Sequence, residues 1–403
     1  MTEKDKYRIL LVNKFYYPRG GDCIQMMNLE RLLKSKGHQV AVFSMQYPQN
    51  IESEYSHYFI PNVDFTGGLR GKMKASARIF GFGDVKAAFV KILDDFKPDI
   101  VHLHNIHSYI SPLVAKLAKK RGCRVIWTLH DYKLACPSYS CLSKGKPCEA
   151  CWQDKTAVIK KRCMKKSRLA SAFAYIESKV WNIKRLCRYT DVFICPSSFM
   201  AGMMSKAGIP DDKLVTLCNF IDDKKLVSLT GVNKDEREDY YCYVGRISEE
   251  KGLRTLLKVA SELPYTLKIA GTGPLLDGLR TEYNSDNIVF LGHLDRTGVL
   301  RLLSKAKCSV IPSEWYDNNP LSIIESLSMG TPVIGANIGG IPELINVNNG
   351  LLFSPSDCED LRSKINEFFF NKKYDNNMVS EKALSLYNSD IYYNEIAKIY
   401  ALN

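Results

Sequence analysis

Two basic residues, Arg246 and Lys251, lie in a segment with the composition of an anion-binding loop. The segment, Gly245-Arg-Ile-Ser-Glu-Glu-Lys-Gly252, directly follows an apolar run typical of a buried strand. Apolar residues then recur at helical spacing, which predicts a helix that begins near Glu250. Because a helix N-terminus offers free amides and a positive dipole end, two cations beside it suit a diphosphate. A solvated turn with two surface cations is the alternative on spacing alone.

Two carboxylates, Asp317 and Glu325, are separated by seven residues within the segment 313–330. A helix is predicted to start after Pro320, with Asp317 in the preceding loop and Glu325 in its second turn. Carboxylates repel phosphate, but they accept hydrogen bonds from sugar hydroxyls beside an anion-binding helix end. The alternative for Glu325 is an ordinary helix charge, against which its apolar neighbours argue.

A cluster of cysteines occupies the segment 136–163 and has some of the features of a metal site. A Cys-x2-Cys pair with three further cysteines nearby is compatible with structural zinc, although the gaps do not form two clean Cys-x2-Cys knuckles. The alternative is a reduced, loosely packed insertion. The five candidate ligands are Cys136, Cys141, Cys148, Cys151 and Cys163.

The segment 155–188 concentrates positive charge. It carries eleven Lys or Arg and a single acid, Glu177, and so accounts for +10 of the net +13 of the chain. The cations flank apolar residues at helical spacing, which suits an anionic membrane surface. A solvated basic helix is the alternative, and nucleic acid is a further partner that charge alone admits.

Composition excludes several classes of protein. The chain has 403 residues, of which 45% are hydrophobic and 25% charged, typical of globular chains with two or three domains. No apolar run approaches the roughly 18 residues that a membrane span needs. The N-terminal residues do not have the pattern of a signal peptide, and thirteen unpatterned cysteines suit a reducing compartment. We therefore expect a cytoplasmic protein.

The elements that must position these residues alternate between strand and helix in both halves, which predicts parallel α/β sheets. We expect two doubly wound domains, at 1–225 and 236–375, and a C-terminal helix at 376–403 that packs back on the first domain. The short charged stretch 235–239 is the candidate linker. Ligands of such sheets bind at the carboxyl ends of the strands, here in a cleft between the domains. The predicted strands are residues 8–13, 40–44, 99–104, 124–130, 191–196, 240–244, 266–270, 287–291, 308–312 and 332–335.

The order of the motifs resembles that of retaining glycosyltransferases of family 4 over nearly the whole chain. Gly-Arg-x4-Lys-Gly is followed by Ala270-Gly-Thr-Gly-Pro274, by Asp-x7-Glu, and by Gly339-Gly-Ile-Pro-Glu343. The Gly20-Gly21 loop, Thr128-Leu-His-Asp-Tyr132 and Cys195-Pro-Ser197 also match. This resemblance implies a GT-B architecture, in which two Rossmann-like domains face each other across a cleft. It also implies sugar transfer from a nucleotide-sugar with retention of the anomeric configuration.

The resemblance assigns roles residue by residue. Arg246 and Lys251 bind the donor diphosphate, Glu325 holds the ribose hydroxyls, and Asp317 holds hydroxyls of the transferred sugar. The family usually has Glu at the position of Asp317, where the shorter side chain keeps the charge but withdraws it by about one methylene. The donor-binding residues that it implies are Gly20, Gly21, Arg246, Lys251, Leu294, Leu321, Ser322 and Glu325.

His130 lies near the reacting sugar in this scheme and joins Asp317 and Glu325 as a catalytic candidate. It is a hydrogen-bonding residue in a front-face displacement, or else purely structural. His102, His104 and His107 form a weaker group around it. The sequence contains no Asp-x-Asp, so we expect cationic side chains to replace a catalytic metal. No cofactor is required, and structural zinc is the one metal considered.

The expected function is transfer of a sugar to a lipid-linked acceptor in surface polysaccharide biosynthesis, of the O-antigen or capsule type. The enzyme would bind the inner face of the cell membrane peripherally through 155–188. The alternatives are transfer to a soluble sugar or sugar phosphate, a catalytically degenerate transferase, and a basic nucleic-acid-binding protein. Against the last, no recognisable nucleic-acid module is present, and we expect no nucleic-acid partner.

Overall fold

The computed structural model describes residues 6–63, 77–81, 83–222, 237–370 and 373–401, in which strands and helices alternate. The strands are β1 (Arg8–Val12), β2 (Gln39–Phe43), β3 (Met45–Gln46), β4 (Ile60–Pro61), β5 (Ile100–Leu103), β6 (Arg124–Thr128), β7 (Leu142–Ser143), β8 (Lys146–Pro147), β9 (Val192–Cys195), β10 (Leu214–Thr216), β11 (Glu238–Val244), β12 (Thr266–Ala270), β13 (Ile288–Gly292), β14 (Ala306–Ile311), β15 (Val333–Ala336) and β16 (Gly350–Phe353). The helices are α1 (Gly21–Ser35), α2 (Asp84–Phe96), α3 (Leu113–Lys120), α4 (Ala157–Lys160), α5 (Arg168–Val180), α6 (Ile183–Cys187), α7 (Ser198–Lys206), α8 (Leu253–Ala260), α9 (Leu276–Glu282), α10 (Arg296–Lys305), α11 (Leu321–Ser328), α12 (Cys358–Phe370), α13 (Asn376–Tyr387) and α14 (Ser389–Tyr400).

The first six-stranded sheet is parallel and has the order β10-β9-β6-β5-β1-β2. Its central strands are almost fully buried runs of Val, Ile and Leu, as expected for strands covered by helices on both faces. The chain passes from β1 outward to β2 and then returns to β5 on the other side of β1. The carboxyl ends of β1 and β5 therefore form the crevice where doubly wound sheets bind ligands.

The second six-stranded sheet is also parallel, with the order β13-β12-β11-β14-β15-β16. The strand order reverses between β11 and β14, which places the second crevice at their carboxyl ends. Buried aliphatic residues of α8 and α12 pack against this sheet. The predicted α/β class with two doubly wound, Rossmann-like sheets is confirmed.

The chain forms two compact units, each of which includes one of the sheets. Unit 1 comprises the described residues of 1–141, 148–218 and 392–403, and unit 2 those of 142–147 and 219–391. Within unit 1, α14 is held by a hydrogen bond between Tyr393 Oη and His38 Nε2, at 2.9 Å. The predicted domain boundaries at 225 and 236 lie outside the described residues.

Several local predictions need correction. Gly252 has a left-handed φ of 68°, so residues 249–251 form a 3-10 turn and the helix begins at Leu253, not near Glu250. Gly20 is the N-cap of α1, and Asp22 lies inside the first turn of that helix. The predicted C-terminal helix is broken at Asn388, whose side chain accepts from the Ile391 amide at 2.8 Å and caps α14.

Two further corrections concern strands. The candidate linker 235–239 overlaps the start of β11 at Glu238, and residues 235–236 lie outside the described part. The edge strands β10 and β16, of three and four residues, were not predicted. Among the described helices, none combines the length and apolar character needed to cross a bilayer.

Candidate functional site

The loop Gly245–Gly252 lies at the crevice of unit 2 because backbone packs directly against backbone there. A Cβ on Gly252 would lie 1.8 Å from the Pro312 carbonyl oxygen, and one on Gly271 would lie 1.8 Å from that of Gly245. Only glycine permits these approaches. The loop is thereby fixed between the segments that follow β12 and β14.

Lys251 and Asp317, predicted from separate motifs, form an ion pair in this crevice. Lys251 Nζ donates to Asp317 Oδ2 at 2.5 Å. Ser313 Oγ donates to the same oxygen at 2.9 Å, and Lys251 also lies over the Trp315 ring, 5.3 Å from its centroid. Among the described residues Oδ1 of Asp317 has no hydrogen-bond partner, so it keeps its capacity to accept from a hydroxyl.

Arg246 is exposed beside this pair. The Tyr243 hydroxyl donates to its carbonyl oxygen at 2.8 Å and fixes the backbone there. Within the described part of the chain, no carboxylate lies within ion-pair distance of its guanidinium. The side chain is therefore available to an anionic ligand.

The N-terminus of α11 follows directly after the Asp317 loop. Its N-cap is Pro320, which supplies no side-chain hydrogen bond, and the Ile323 amide bonds to the Pro320 carbonyl oxygen at 3.1 Å. The amides of Leu321 and Ser322 have no partner among the described residues. Free amides at a positive helix end form an anion site, here directly after the loop that carries Asp317.

Glu325 lies one turn into α11 and faces a cation that the sequence analysis missed. Arg296 Nη1 approaches Glu325 Oε1 at 3.9 Å. Burial raises the pKa of Glu325, and Arg296 partly opposes that rise. Arg296 Nε and Nη2 are buried without a hydrogen-bond partner among the described residues. Arg296 begins α10 two residues after Leu294, and a position just past the carboxyl end of β13 was the signal that could have identified it.

In unit 1 the Gly20-Gly21 loop leads into a charged group at the crevice between β1 and β5. Asn105 Nδ2 donates to Asp22 Oδ2 at 2.5 Å. Burial opposes ionisation of Asp22 most strongly, but His130, Lys14 and the Asn105 bond outweigh it and lower its pKa. Gly20 has extended backbone, so its lack of a side chain matters for space: a Cβ would lie 3.2 Å from Asp22 Oδ1.

Three histidines stack along the carboxyl ends of β5 and β6. His102 bonds to the Tyr400 hydroxyl at 2.6 Å and to Thr128 Oγ1 at 2.7 Å. The ring of His104 stacks on that of His102, with centroids 4.5 Å apart, and its Nδ1 lies 2.9 Å from His130 Nε2. His107 stands apart and stacks on Trp127. Of the predicted histidine group, His102 and His104 therefore join His130 and His107 does not.

Buried and half-buried histidines are expected to make the folding stability of the protein sensitive to acid. Burial lowers the pKa of His102 and His107 to about 3 and that of His130 to about 4. Unfolded histidine titrates near 6.5, so between about pH 6.5 and 4 the unfolded chain binds protons that the folded chain does not, and stability falls as pH falls. We expect a loss of about 1 kcal/mol per histidine at pH 5.5, measured as urea midpoints at pH 7.5 and 5.5. An unchanged midpoint would contradict the buried, neutral state of these rings.

The predicted cysteine ligands come partly together. Cys136, Cys141 and Cys151 are buried, and Cys148 and Cys163 are half-buried. Thiol hydrogen bonds from Cys141 and Cys151 lower the pKa of Cys136. Among the described residues, however, no group of three or more His, Cys, Asp or Glu side chains is arranged to hold a metal ion. Structural zinc stays a prediction.

The basic segment 155–188 is anchored by its one acid. Glu177 is buried in α5 and pairs with the equally buried Lys133, with 2.9 Å between Oε2 and Nζ. It also accepts from the amide and hydroxyl of Ser108, each at 2.8 Å. Nine of the eleven cations are exposed: Lys160, Lys161, Arg162, Lys165, Lys166, Arg168, Lys179, Lys184 and Arg188.

Comparison with known families identifies the family to which the chain belongs. Residues 20–225 match the family model described as Glycosyltransferase Family 4, and residues 229–384 match the model Glycosyl transferases group 1. The chain belongs to glycosyltransferase family 4. The first match alone covers half of the chain, and the predicted resemblance is confirmed.

Relatives of this family 4 glycosyltransferase include proteins of polysaccharide gene regions. It is 27% identical over 373 residues to an "uncharacterized 42.6 kDa protein in cps region" of Klebsiella pneumoniae, covering 88% of this chain and 91% of that protein. It is 27% identical to the O-antigen biosynthesis glycosyltransferase WbnH of Escherichia coli, where the alignment covers 50% of this chain and 56% of that protein.

Solved structures of low identity share the GT-B fold of this glycosyltransferase. A sucrose-phosphate synthase from Thermosynechococcus elongatus superposes with a TM-score of 0.71 at 20% identity, covering 97% of this chain and 98% of that one. Anabaena HepE in complex with UDP-glucose superposes with a TM-score of 0.67 at 17% identity, covering 98% and 99%. At these identities the likeness shows the fold alone.

Proposed function

We propose that this glycosyltransferase moves a sugar from a nucleotide-sugar to a lipid-linked glycan acceptor in surface polysaccharide biosynthesis. The observation that carries the donor assignment is the crevice of unit 2, where Lys251, Asp317 and the open N-terminus of α11 lie together. Lys251 and the N-terminus of α11 favour phosphate, and Asp317 accepts hydrogen bonds from hydroxyls. A sugar bound to a diphosphate requires both kinds of group. The cps-region and O-antigen relatives support a role in surface polysaccharide biosynthesis.

The leaving nucleoside diphosphate develops negative charge as the glycosidic bond breaks. Arg246, Lys251 and the amides of Leu321 and Ser322 would stabilise this charge from fixed positions. Lys251 is already oriented by Asp317, whose Oδ2 also accepts from Ser313, so little reorganisation is needed when the donor binds. In Asp-x-Asp transferases a divalent ion stabilises the diphosphate charge. Here the cationic side chains and helix amides would do so, and we propose that the reaction is independent of metal.

The two carboxylates would bind the two sugars of the donor, which are the transferred sugar and the ribose of the nucleotide. Oδ1 of Asp317 would accept from a hydroxyl of the transferred sugar, and Glu325, oriented by Arg296, would accept from the ribose hydroxyls. The shorter side chain of Asp317, compared with the usual Glu, is fixed by its two contacts on Oδ2. In this scheme both carboxylates accept from hydroxyls rather than attack the sugar, and we propose front-face displacement with retention.

A thermal-shift screen of nucleoside diphosphates and nucleotide-sugars, with UDP-glucose as the first probe, tests the donor site. A ligand at 100 times its Kd adds about 2.7 kcal/mol to stability, so the donor should raise the melting temperature. Glu325→Gln should reduce that rise, whereas Glu381→Gln, an exposed change in α13, should not. If no nucleotide raises the melting temperature, the donor-site assignment is wrong.

Product analysis with the identified donor tests the chemistry. Transfer to a polyprenyl-diphosphate sugar, insensitive to EDTA and with the donor's anomeric configuration in the product, supports the proposal. Transfer only to a soluble sugar or sugar phosphate would assign the alternative acceptor class.

Membrane association is the second part of this proposal, and it rests on the exposed face of α5. Leu169 is 70% and Ile176 39% exposed, and exposed Lys165, Lys166 and Arg168 precede or begin the same helix. Each cation near an anionic bilayer contributes about 1 kcal/mol. Reversing all three to Glu should therefore lower binding to phosphatidylglycerol vesicles by at least about 100-fold in a flotation assay.

A charge-matched control separates this surface from net charge. Lys86→Glu, Lys91→Glu and Lys120→Glu together remove the same charge from exposed positions of α2 and α3. This variant should still float with the vesicles. Equal loss of binding by both triple variants, or no binding by the unmodified protein, would overturn the membrane proposal.

A further inference from the structure

The hydrogen bond between His104 and His130 determines which nitrogen of each ring carries the proton. His104 Nδ1 lies 2.9 Å from His130 Nε2. A neutral imidazole has one N–H and one lone pair. One ring must therefore donate and the other accept, and two arrangements are available. They differ in whether His130 presents an N–H or a lone pair at its remaining nitrogen, Nδ1.

The surroundings of His104 distinguish the two arrangements. Its other nitrogen, Nε2, is buried and has no hydrogen-bond partner among the described residues. If His130 donated, His104 would carry its own proton on Nε2 as a buried N–H without an acceptor. Orphaned buried N–H groups are rarer in proteins than unsatisfied acceptors. His104 therefore donates from Nδ1, and its bare Nε2 stays buried without a donor among the described residues.

We propose that His104 is a positioning residue that holds His130 in the Nδ1–H tautomer, so that His130 offers a hydrogen-bond donor to an oxygen of the bound sugar. His130 Nδ1 has no protein partner among the described residues, and the ring is half-buried at the carboxyl edge of the sheet. The identity of the oxygen rests on the proposed function, whereas the tautomer does not.

This arrangement excludes His130 as the base that deprotonates the acceptor hydroxyl. The lone pair that would take the proton is on Nε2, and it is already engaged by His104. Protonating it would force His104 to move its own proton to the buried Nε2. Burial also lowers the pKa of His130 to about 4, in agreement with a ring that stays neutral. The acceptor proton must then go to another group, such as an oxygen of the leaving phosphate.

Nitrogen-15 NMR of the full-length chain labelled at histidine tests the tautomer without any substrate. The His130 signals, assigned by their absence in His130→Asn, should show a protonated Nδ1 and an unprotonated Nε2 at pH 7.5. The Nδ1 of exposed His57 lies 2.9 Å from the Glu54 carbonyl oxygen, which can only accept, so His57 serves as the internal reference for a ring with a protonated Nδ1. A protonated Nε2 on His130, or fast averaging of both tautomers, would overturn the proposal.

Two substitutions of His104 add a readout that a merely structural residue would not give. His104→Leu removes the donor and should shift His130 toward the Nε2–H tautomer, with a 10–100-fold lower kcat and little change in donor KM. His104→Asn places an amide N–H2 where Nδ1 was, and it should keep the tautomer and most of kcat. If His104→Leu does not fold, the unmodified protein and His104→Asn still decide the question. An unchanged tautomer in folded His104→Leu would refute the positioning role, and absence of any transferase activity would instead count against the proposed function.

Discussion

Lys251→Ala is expected to lower kcat/KM for sugar transfer by about 10^3-fold. The substitution removes the cation that contacts Asp317 at the unit 2 crevice, where the diphosphate charge would develop. It also leaves Asp317 with only the Ser313 hydroxyl on Oδ2, so the carboxylate loses its orientation as well as its counter-charge. Steady-state kinetics with the donor from the thermal-shift screen measures the effect.

A matched control for this prediction is Lys258→Ala. Lys258 lies in α8, the helix that follows the loop, and its side chain is exposed. We expect kcat/KM to stay within a factor of about 2 of the unmodified enzyme, since surface substitutions away from a site are nearly neutral. A decrease of less than 10-fold for Lys251→Ala would show that the leaving group is stabilised elsewhere. Arg246→Ala would then be the variant to examine.

Glu177→Ala is expected to destabilise the protein by about 3–5 kcal/mol, because it leaves the buried Lys133 charge without its partner. Lys133 and Glu177 are each less than 10% exposed at the side chain, so solvent cannot replace the lost carboxylate. The variant also frees the amide and hydroxyl of Ser108. Urea denaturation at pH 7.5 measures the difference in unfolding free energy.

Two further variants test the cause of that loss. Lys133→Met combined with Glu177→Leu removes both charges and should recover part of the stability, because no buried charge remains unpaired. Lys184→Ala, an exposed change in the same basic segment, should alter stability by less than about 0.5 kcal/mol. If Glu177→Ala is as mild as Lys184→Ala, the buried ion pair does not anchor α5.

The main strands and helices, and the motifs that carry Lys251 and Asp317 at the unit 2 site, were predictable because their sequence signals are local. Buried parallel strands appear as apolar runs, and the motifs carrying Lys251 and Asp317 identified themselves by residue type and spacing. Their contact, however, depends on the crossing from β11 to β14, which no local pattern contains. Sheet topology brings together loops that are 66 residues apart.

The residues that were missed have charges that look ordinary in sequence. Arg296 follows a capping Asp295, which accepts from the Gly298 amide at 2.7 Å, and together they resemble any polar helix start. Asp22 looks like an ordinary acid in the first turn of a helix, and its contact with Asn105 joins two different strand ends of the sheet. Glu177 was counted within the basic segment, where nothing indicated that it would be buried.

The hydrogen bond between Tyr400 and His102 has a consequence for the order in which the two units fold during synthesis. These residues are 298 apart in sequence, and unit 2 is encoded between them. During synthesis the first sheet emerges early, but His102 lacks the Tyr400 hydroxyl as its partner until α14 has left the ribosome. Unit 1 therefore cannot finish folding before unit 2 has been translated, and an interrupted chain lacks this contact of the histidine stack.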